Sequence, residues 1–175
     1  SVMSKLEDWL QTEWPELEVY LTSVTEQYGT ISLNGPNSRK LMEKLNPEYD
    51  FSKDNFPHMN FKNINLCGVE CRVMRISFTG ELCYEINVPS GYAKYLWDIC
   101  IDKGNEFNIT PYGTEAMHVL RAEKGFIIVG QETDGSVTPI DLDMDWIVSK
   151  KKYDFVGKRA LNRSDTIKKD RKQLV

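Results

Sequence analysis

The 175-residue sequence predicts an α+β fold, a ferredoxin-like split βαβ arrangement with a mostly antiparallel sheet and helices packed on one face. Three observations predict it. Strand-like runs mix with helical patterns without strict alternation, in the coarse order β-β-α-β-β-β-α-(β)-α. Turn signals at Gly68 and at Thr79-Gly80-Glu81 separate consecutive strands and imply hairpins, hence antiparallel pairing. Two segments, 37–45 and 92–102, carry their apolar residues on one side at helical spacing.

Each element has a local reason. Residues 6–11 read as a short helical turn that Pro15 interrupts. Residues 19–25 (Val-Tyr-Leu-Thr-Ser-Val-Thr) and 28–33 are rich in β-branched and aromatic side chains and read as strands. Asn34-Gly35-Pro36-Asn37 breaks the second. Asn37 or Ser38 then caps a helix bearing Leu41, Met42 and Leu45, and Pro47 ends it. Residues 46–60 are polar and hold two prolines, so they read as loop. Residues 63–66 and 71–78 form strands about Gly68, and 82–88 forms another. Pro89-Ser90-Gly91 leads into a helix with Tyr92, Tyr95, Leu96 and Ile99 on one side. A short extended piece at 108–111 precedes a helix from Gly113 or Thr114 to about Lys124, stopped by Gly125. The charged tail at 163–172 is expected to fray.

Composition limits the function. A net charge of −4 gives no field for nucleic acid or an anionic membrane surface, so neither is an expected partner. No apolar run approaches the ~20 residues that span a bilayer. Cys67, Cys71, Cys83 and Cys100 lack zinc-finger spacing and read as reduced, buried or half-buried thiols, with a cytoplasmic location expected. Asp141, Asp143 and Asp145 stand at calcium-loop spacing. The required glycine is Trp146, however, and the closing glutamate is Lys152, so no metal site is assigned. No glycine-rich nucleotide loop occurs, and no Ser-His-acid set is identifiable.

The run Ile76 to Val88, I-S-F-T-G-E-L-C-Y-E-I-N-V, holds one acid inside a strand. Alternation puts Leu82, Tyr84, Ile86 and Val88 on one face and Cys83, Glu85 and Asn87 on the other. A three-residue loop at Thr79-Gly80-Glu81 would set Phe78 opposite Leu82 and Arg75 opposite Glu85. Glu85 then reads either as the exposed partner of Arg75, a pair of ~0.2–1 kcal/mol, or as a carboxylate aimed at a ligand.

Several ordered stretches resemble one family. "CRVMRISFTGELCYEINVP", "VLRAEKGF", "GQETDGSVTPIDLDMDW" and "FVGKRAL" are similar, in order, to blocks of the glycine-cleavage T-protein (aminomethyltransferase) family. "WLQTEWPELEVYLTSVTEQYGTISLNGPNSRKLM" looks closer to one branch of it, the folate-binding C-terminal region of the α subunit of heterotetrameric sarcosine oxidase. The resemblance implies tetrahydrofolate as cofactor and a fragment of a larger subunit, with FAD, FMN and NAD in other parts of the complex and other subunits as partners. It implies one-carbon transfer from sarcosine to tetrahydrofolate, giving 5,10-methylenetetrahydrofolate.

By the same resemblance Glu85 holds the pterin, and Phe78 and Phe126 lie beside the folate. Phe78 stands where the aminomethyltransferases have tyrosine, and Met117 where they have a folate-contacting arginine. The family's catalytic aspartate is expected outside this chain, so the catalytic residues are unknown and the isolated fragment is expected to be inactive. The domain reading is a lead-in at 1–18, a ferredoxin-like folate-binding core at 19–128, and a partial return segment with charged tail at 129–175. Two alternatives stay open: a family member acting on another methyl donor, and a subunit-docking domain without folate chemistry.

Overall fold

The structure, a computed structural model, describes residues 2–164 and 166–167. Most of the tail expected to fray lies outside them. The chain divides into two compact units, Ser1–Ile76 with Leu82–Thr110, and Ser77–Glu81 with Pro111–Val175.

The first unit is built on a four-stranded antiparallel sheet: β1 (Tyr28–Asn34), β2 (Phe61–Leu66), β3 (Val69–Met74) and β4 (Cys83–Pro89), in the order β1-β4-β3-β2. Helices α1 (Val2–Thr12), α2 (Ser38–Leu45) and α3 (Ala93–Gly104) complete it. The class is α+β, and the sheet is antiparallel throughout. The strand order differs in detail from a split βαβ unit, which would run β1 and β2 parallel with one strand between them. Here β2, β3 and β4 form a meander, and β1 adds antiparallel to β4 at the far edge. Ile31 and Leu33 of β1 can join the core face only by lying beside Ile86 and Tyr84 of β4.

One sheet face is apolar because alternate residues supply it. Ile31, Leu33, Ile64, Leu66, Val73, Tyr84, Ile86 and Val88 are all buried, together with Leu41, Met42 and Leu45 of α2 and Leu96 and Cys100 of α3. Phe51 and Phe56, from the 46–60 loop, are fully buried in the same cluster. Gly29 lets β1 approach α3: a Cβ there would meet the Ala93 Cβ at 2.8 Å. The β2–β3 turn has just two residues, Cys67 at φ 50° and Gly68 at φ 89°. Both are left-handed, as a turn matched to the strand twist requires.

Three local expectations are corrected. Residues 19–25 form no strand and are mostly exposed, Tyr20 by 93%. Strand propensity without a partner edge or a face to bury does not make a strand. Residues 108–111 likewise form no strand, and Asn108 turns left-handed at φ 57° after α3.

The third correction bears on Glu85. β3 stops at Met74 rather than Phe78, and the tight three-residue loop is replaced by an eight-residue connection, 75–82. The backbone of Arg75 bonds instead to Asn60 and Met59, and residues 77–81 belong to the second unit. The register therefore sets Met74, not Arg75, opposite Glu85. The Arg75 guanidinium lies over the Tyr84 ring at 5.7 Å and donates to the Phe56 carbonyl at 3.1 Å, so it sits on the core side. The expected Arg75–Glu85 pair does not form.

The second unit contains α4 (Thr114–Glu123), a turn-rich stretch with an isolated bridge between Val129 and Thr133, and the short α5 (Lys158–Leu161). No helix among the described residues is long and apolar enough to cross a membrane.

Candidate functional site

Glu85 lies on the face of β4 opposite Tyr84 and Ile86, as strand alternation requires. Its cross-strand neighbours are Ser32 and Met74. The polar groups around it are satisfied by one another. Asn87 accepts from Thr30 at 2.8 Å and donates to the Arg72 carbonyl. Ser32 accepts from Asn34 at 2.9 Å and pairs with the Cys83 thiol at 3.5 Å. Among the described residues, nothing hydrogen-bonds or ion-pairs with the Glu85 carboxylate. It is half-buried, and desolvation raises its pKa above the usual 4.5. A carboxylate partly withdrawn from water with no internal partner costs stability. It is also an acceptor pair open to a ligand.

The other two expected residues belong to the second unit. Phe78 is half-buried on the 77–81 segment, and Phe126 is 39% exposed just beyond α4. The structure brings their segments together at the C-terminal end of α4. Gly80, at φ 80°, lies against the stem of Lys124: a Cβ there would fall 2.2 Å from the lysine Cγ. Met117 is half-buried within α4.

The end of α4 is a Schellman motif. The Phe126 N–H bonds to the Arg121 carbonyl at 2.8 Å, and the Gly125 N–H to that of Ala122 at 2.9 Å. Gly125 takes φ 76°, which a side chain strains. Open space surrounds the position where its Cβ would stand. Gly125→Ala should therefore cost about 1–2 kcal/mol through backbone strain alone. Thermal unfolding of the full-length protein checks this, and an unchanged midpoint would refute it.

Arg121 had no assigned role in the sequence. The structure makes it the hub of the turn: only 9% exposed, it donates to the Phe126 carbonyl at 3.0 Å, to Glu132 at 2.6 Å and to Gln131 at 3.4 Å. Glu132 also accepts the Ile128 N–H at 2.7 Å. That backbone bond, and then the one from Arg121, hold its pKa below the usual range. The one local signal was an arginine in the last turn of a helix before glycine. Partners ten and eleven residues onward, across an irregular turn, follow no period.

Other sequence candidates resolve as structural. The buried Asp141 accepts from both the N–H and the hydroxyl of Thr138 at 2.9 Å, which orders its own turn. Among the described residues no cluster of His, Cys, Asp or Glu is arranged to hold a metal ion. All four cysteines are free, and burial pushes the thiols of Cys71 and Cys83 up to about 11 and that of Cys100 up to about 12. Such thiols are poor nucleophiles.

Relatives agree on one family. The chain is 58% identical to the sarcosine oxidase subunit alpha of Corynebacterium sp. (strain P-1) over 175 residues, which is 99% of this chain and 18% of that protein. It is 40% identical to the sarcosine oxidase subunit alpha of Rhizobium meliloti (strain 1021), over 99% of this chain and 18% of that protein. It is 33% identical to the aminomethyltransferase of Chlorobium phaeovibrioides (strain DSM 265 / 1930), over 87% of this chain and 41% of that protein. The chain thus spans less than a fifth of the sarcosine oxidase relatives and less than half of the aminomethyltransferase. The family described as the GCVT N-terminal domain matches residues 1–152, and this chain belongs to it.

Proposed function

We propose that the chain is the tetrahydrofolate-binding part of a sarcosine oxidase α subunit. Its complex demethylates sarcosine oxidatively and passes the one-carbon unit to tetrahydrofolate as 5,10-methylenetetrahydrofolate. The observation that carries this reading is the Glu85 carboxylate, half-buried and without a partner among the described residues, while neighbouring polar groups on β1 and β4 pair with one another.

The donor set fits the ligand. A reduced pterin presents a ring N–H beside an amino group, and an ionised carboxylate accepts both in parallel. The family resemblance adds Phe78 and Phe126 as aromatic contacts, residue types that suit a flat heterocycle and ask for no hydrogen bond. When bound, tetrahydrofolate supplies the nitrogens that take up the one-carbon unit. The chain's own contribution is to bind and orient. FAD, FMN and NAD belong, on this reading, to other parts of the complex.

Phe78 and Met117 favour a second reading. One lacks a hydroxyl and the other a charge that the aminomethyltransferase pattern carries, as in a docking domain that has left folate chemistry. Calorimetric titration of the full-length protein separates the two. Saturable tetrahydrofolate binding that Glu85→Gln weakens is the expected result, and a flat titration leaves the docking role. Product analysis with sarcosine and other methylated amines then identifies the donor.

A further inference from the structure

We propose that Arg121 and Glu132 are positioning residues for the folate site: together they grip the backbone of Phe126 and fix where its ring stands. This rests on the reading of Phe126 as part of that site.

Phe126 is held from both sides by one residue. Its N–H goes to the Arg121 carbonyl at 2.8 Å, and its carbonyl takes the Arg121 guanidinium at 3.0 Å. Ending α4 requires only the first bond, together with the turn at Gly125. The guanidinium adds nothing to that cap and acts instead on residues 126–132. It binds the Phe126 carbonyl, Glu132 at 2.6 Å and Gln131 at 3.4 Å, while Glu132 takes the Ile128 N–H at 2.7 Å. The turn from 126 to 132 is therefore closed at both ends on one ion pair between a buried guanidinium and a half-buried carboxylate.

A guanidinium this buried keeps its place only while its charge is matched. Glu132 is the matching charge, and its side chain is still 26% exposed. Substitution there loosens the grip without emptying a core. Phe126 itself stays 39% exposed while its backbone is fixed.

The test is a double-mutant cycle in the full-length protein with Glu132→Gln, Phe126→Ala and the pair, reading tetrahydrofolate affinity by calorimetry alongside the thermal midpoint. Glutamine keeps the shape but can accept only one of the two bonds. Glu132→Gln should weaken folate binding by about five- to tenfold, the size of one lost hydrogen bond to a charged group or somewhat less. In the Phe126→Ala background it should have almost no further effect, because the two act as a unit.

A lowered midpoint with unchanged affinity would make the ion pair merely structural and overturn the proposal. So would a Glu132→Gln effect that adds in full to that of Phe126→Ala. If Phe126→Ala also leaves affinity unchanged while Glu85→Gln weakens it, this proposal and Phe126's place in the site fail, and the folate reading stands on Glu85. If the wild-type titration is itself flat, the folate reading falls with it.

Discussion

Glu85→Gln is expected to weaken tetrahydrofolate binding by the full-length protein by about 1.5–3 kcal/mol, roughly ten- to a hundredfold. One acceptor of a charge-assisted pair becomes a donor facing a donor. The same substitution should leave the thermal midpoint unchanged or raise it, because the wild-type carboxylate is partly desolvated without a partner. A loss of stability together with unchanged affinity would give Glu85 a structural role and refute its place in the folate site.

The pH dependence sharpens this test. The folded-state pKa of Glu85 is raised, with burial as the cause. Its contribution to stability is therefore fully present below the ordinary glutamate range and is lost as pH rises through the raised value. Folate binding has the opposite sign, since it needs the ionised form. Affinity should fall on acidification at a higher pH than an ordinary glutamate would give. The glutamine variant should show neither dependence.

Tyr84→Ala is expected to destabilise the first unit by about 3–5 kcal/mol, the range for emptying a large aromatic site. Tyr84 is completely buried, with the rings of Phe51 and Phe56 at 6.1 and 5.9 Å and the Arg75 guanidinium over its face. Its hydroxyl accepts from Arg39 at 3.3 Å. Removing the ring unseats the 46–60 loop and leaves Arg75 over a cavity. Tyr84→Phe deletes only the hydroxyl and should cost about 0.5–1.5 kcal/mol. Denaturant unfolding of both variants checks the order, and equal losses would show that the ring is not the anchor.

Tyr84 and Glu85 are adjacent in sequence and do opposite work, and that division was legible in advance. Period-two alternation along β4 places Tyr84, Ile86 and Val88 on the core face and Glu85 and Asn87 on the other. The left-handed Gly68 turn, the helix at Ser38–Leu45 and the stop at Gly125 were equally readable, because each follows from backbone geometry within a few residues. Order of motifs, rather than any one spacing, pointed to Glu85, Phe78 and Phe126.

What stands opposite Glu85 was not readable. A tight hairpin and an eight-residue connection start from the same residues, and they differ by one position of register. That one position replaces Arg75 with Met74, moves the guanidinium to the other side of the sheet, and leaves the acid unpaired among the described residues. The choice depends on where 77–81 fold, and they join residues 111 onward. Likewise residues 19–25 had the composition of a strand and found no partner, and Arg121 found its partners across a turn without a period. The sequence by itself determined which face each side chain of a strand or helix takes, since that is set by backbone geometry over neighbouring residues. Only the tertiary structure decided which groups meet across those faces, since each pairing depends on what a distant segment offers in hydrogen bonds and buried surface.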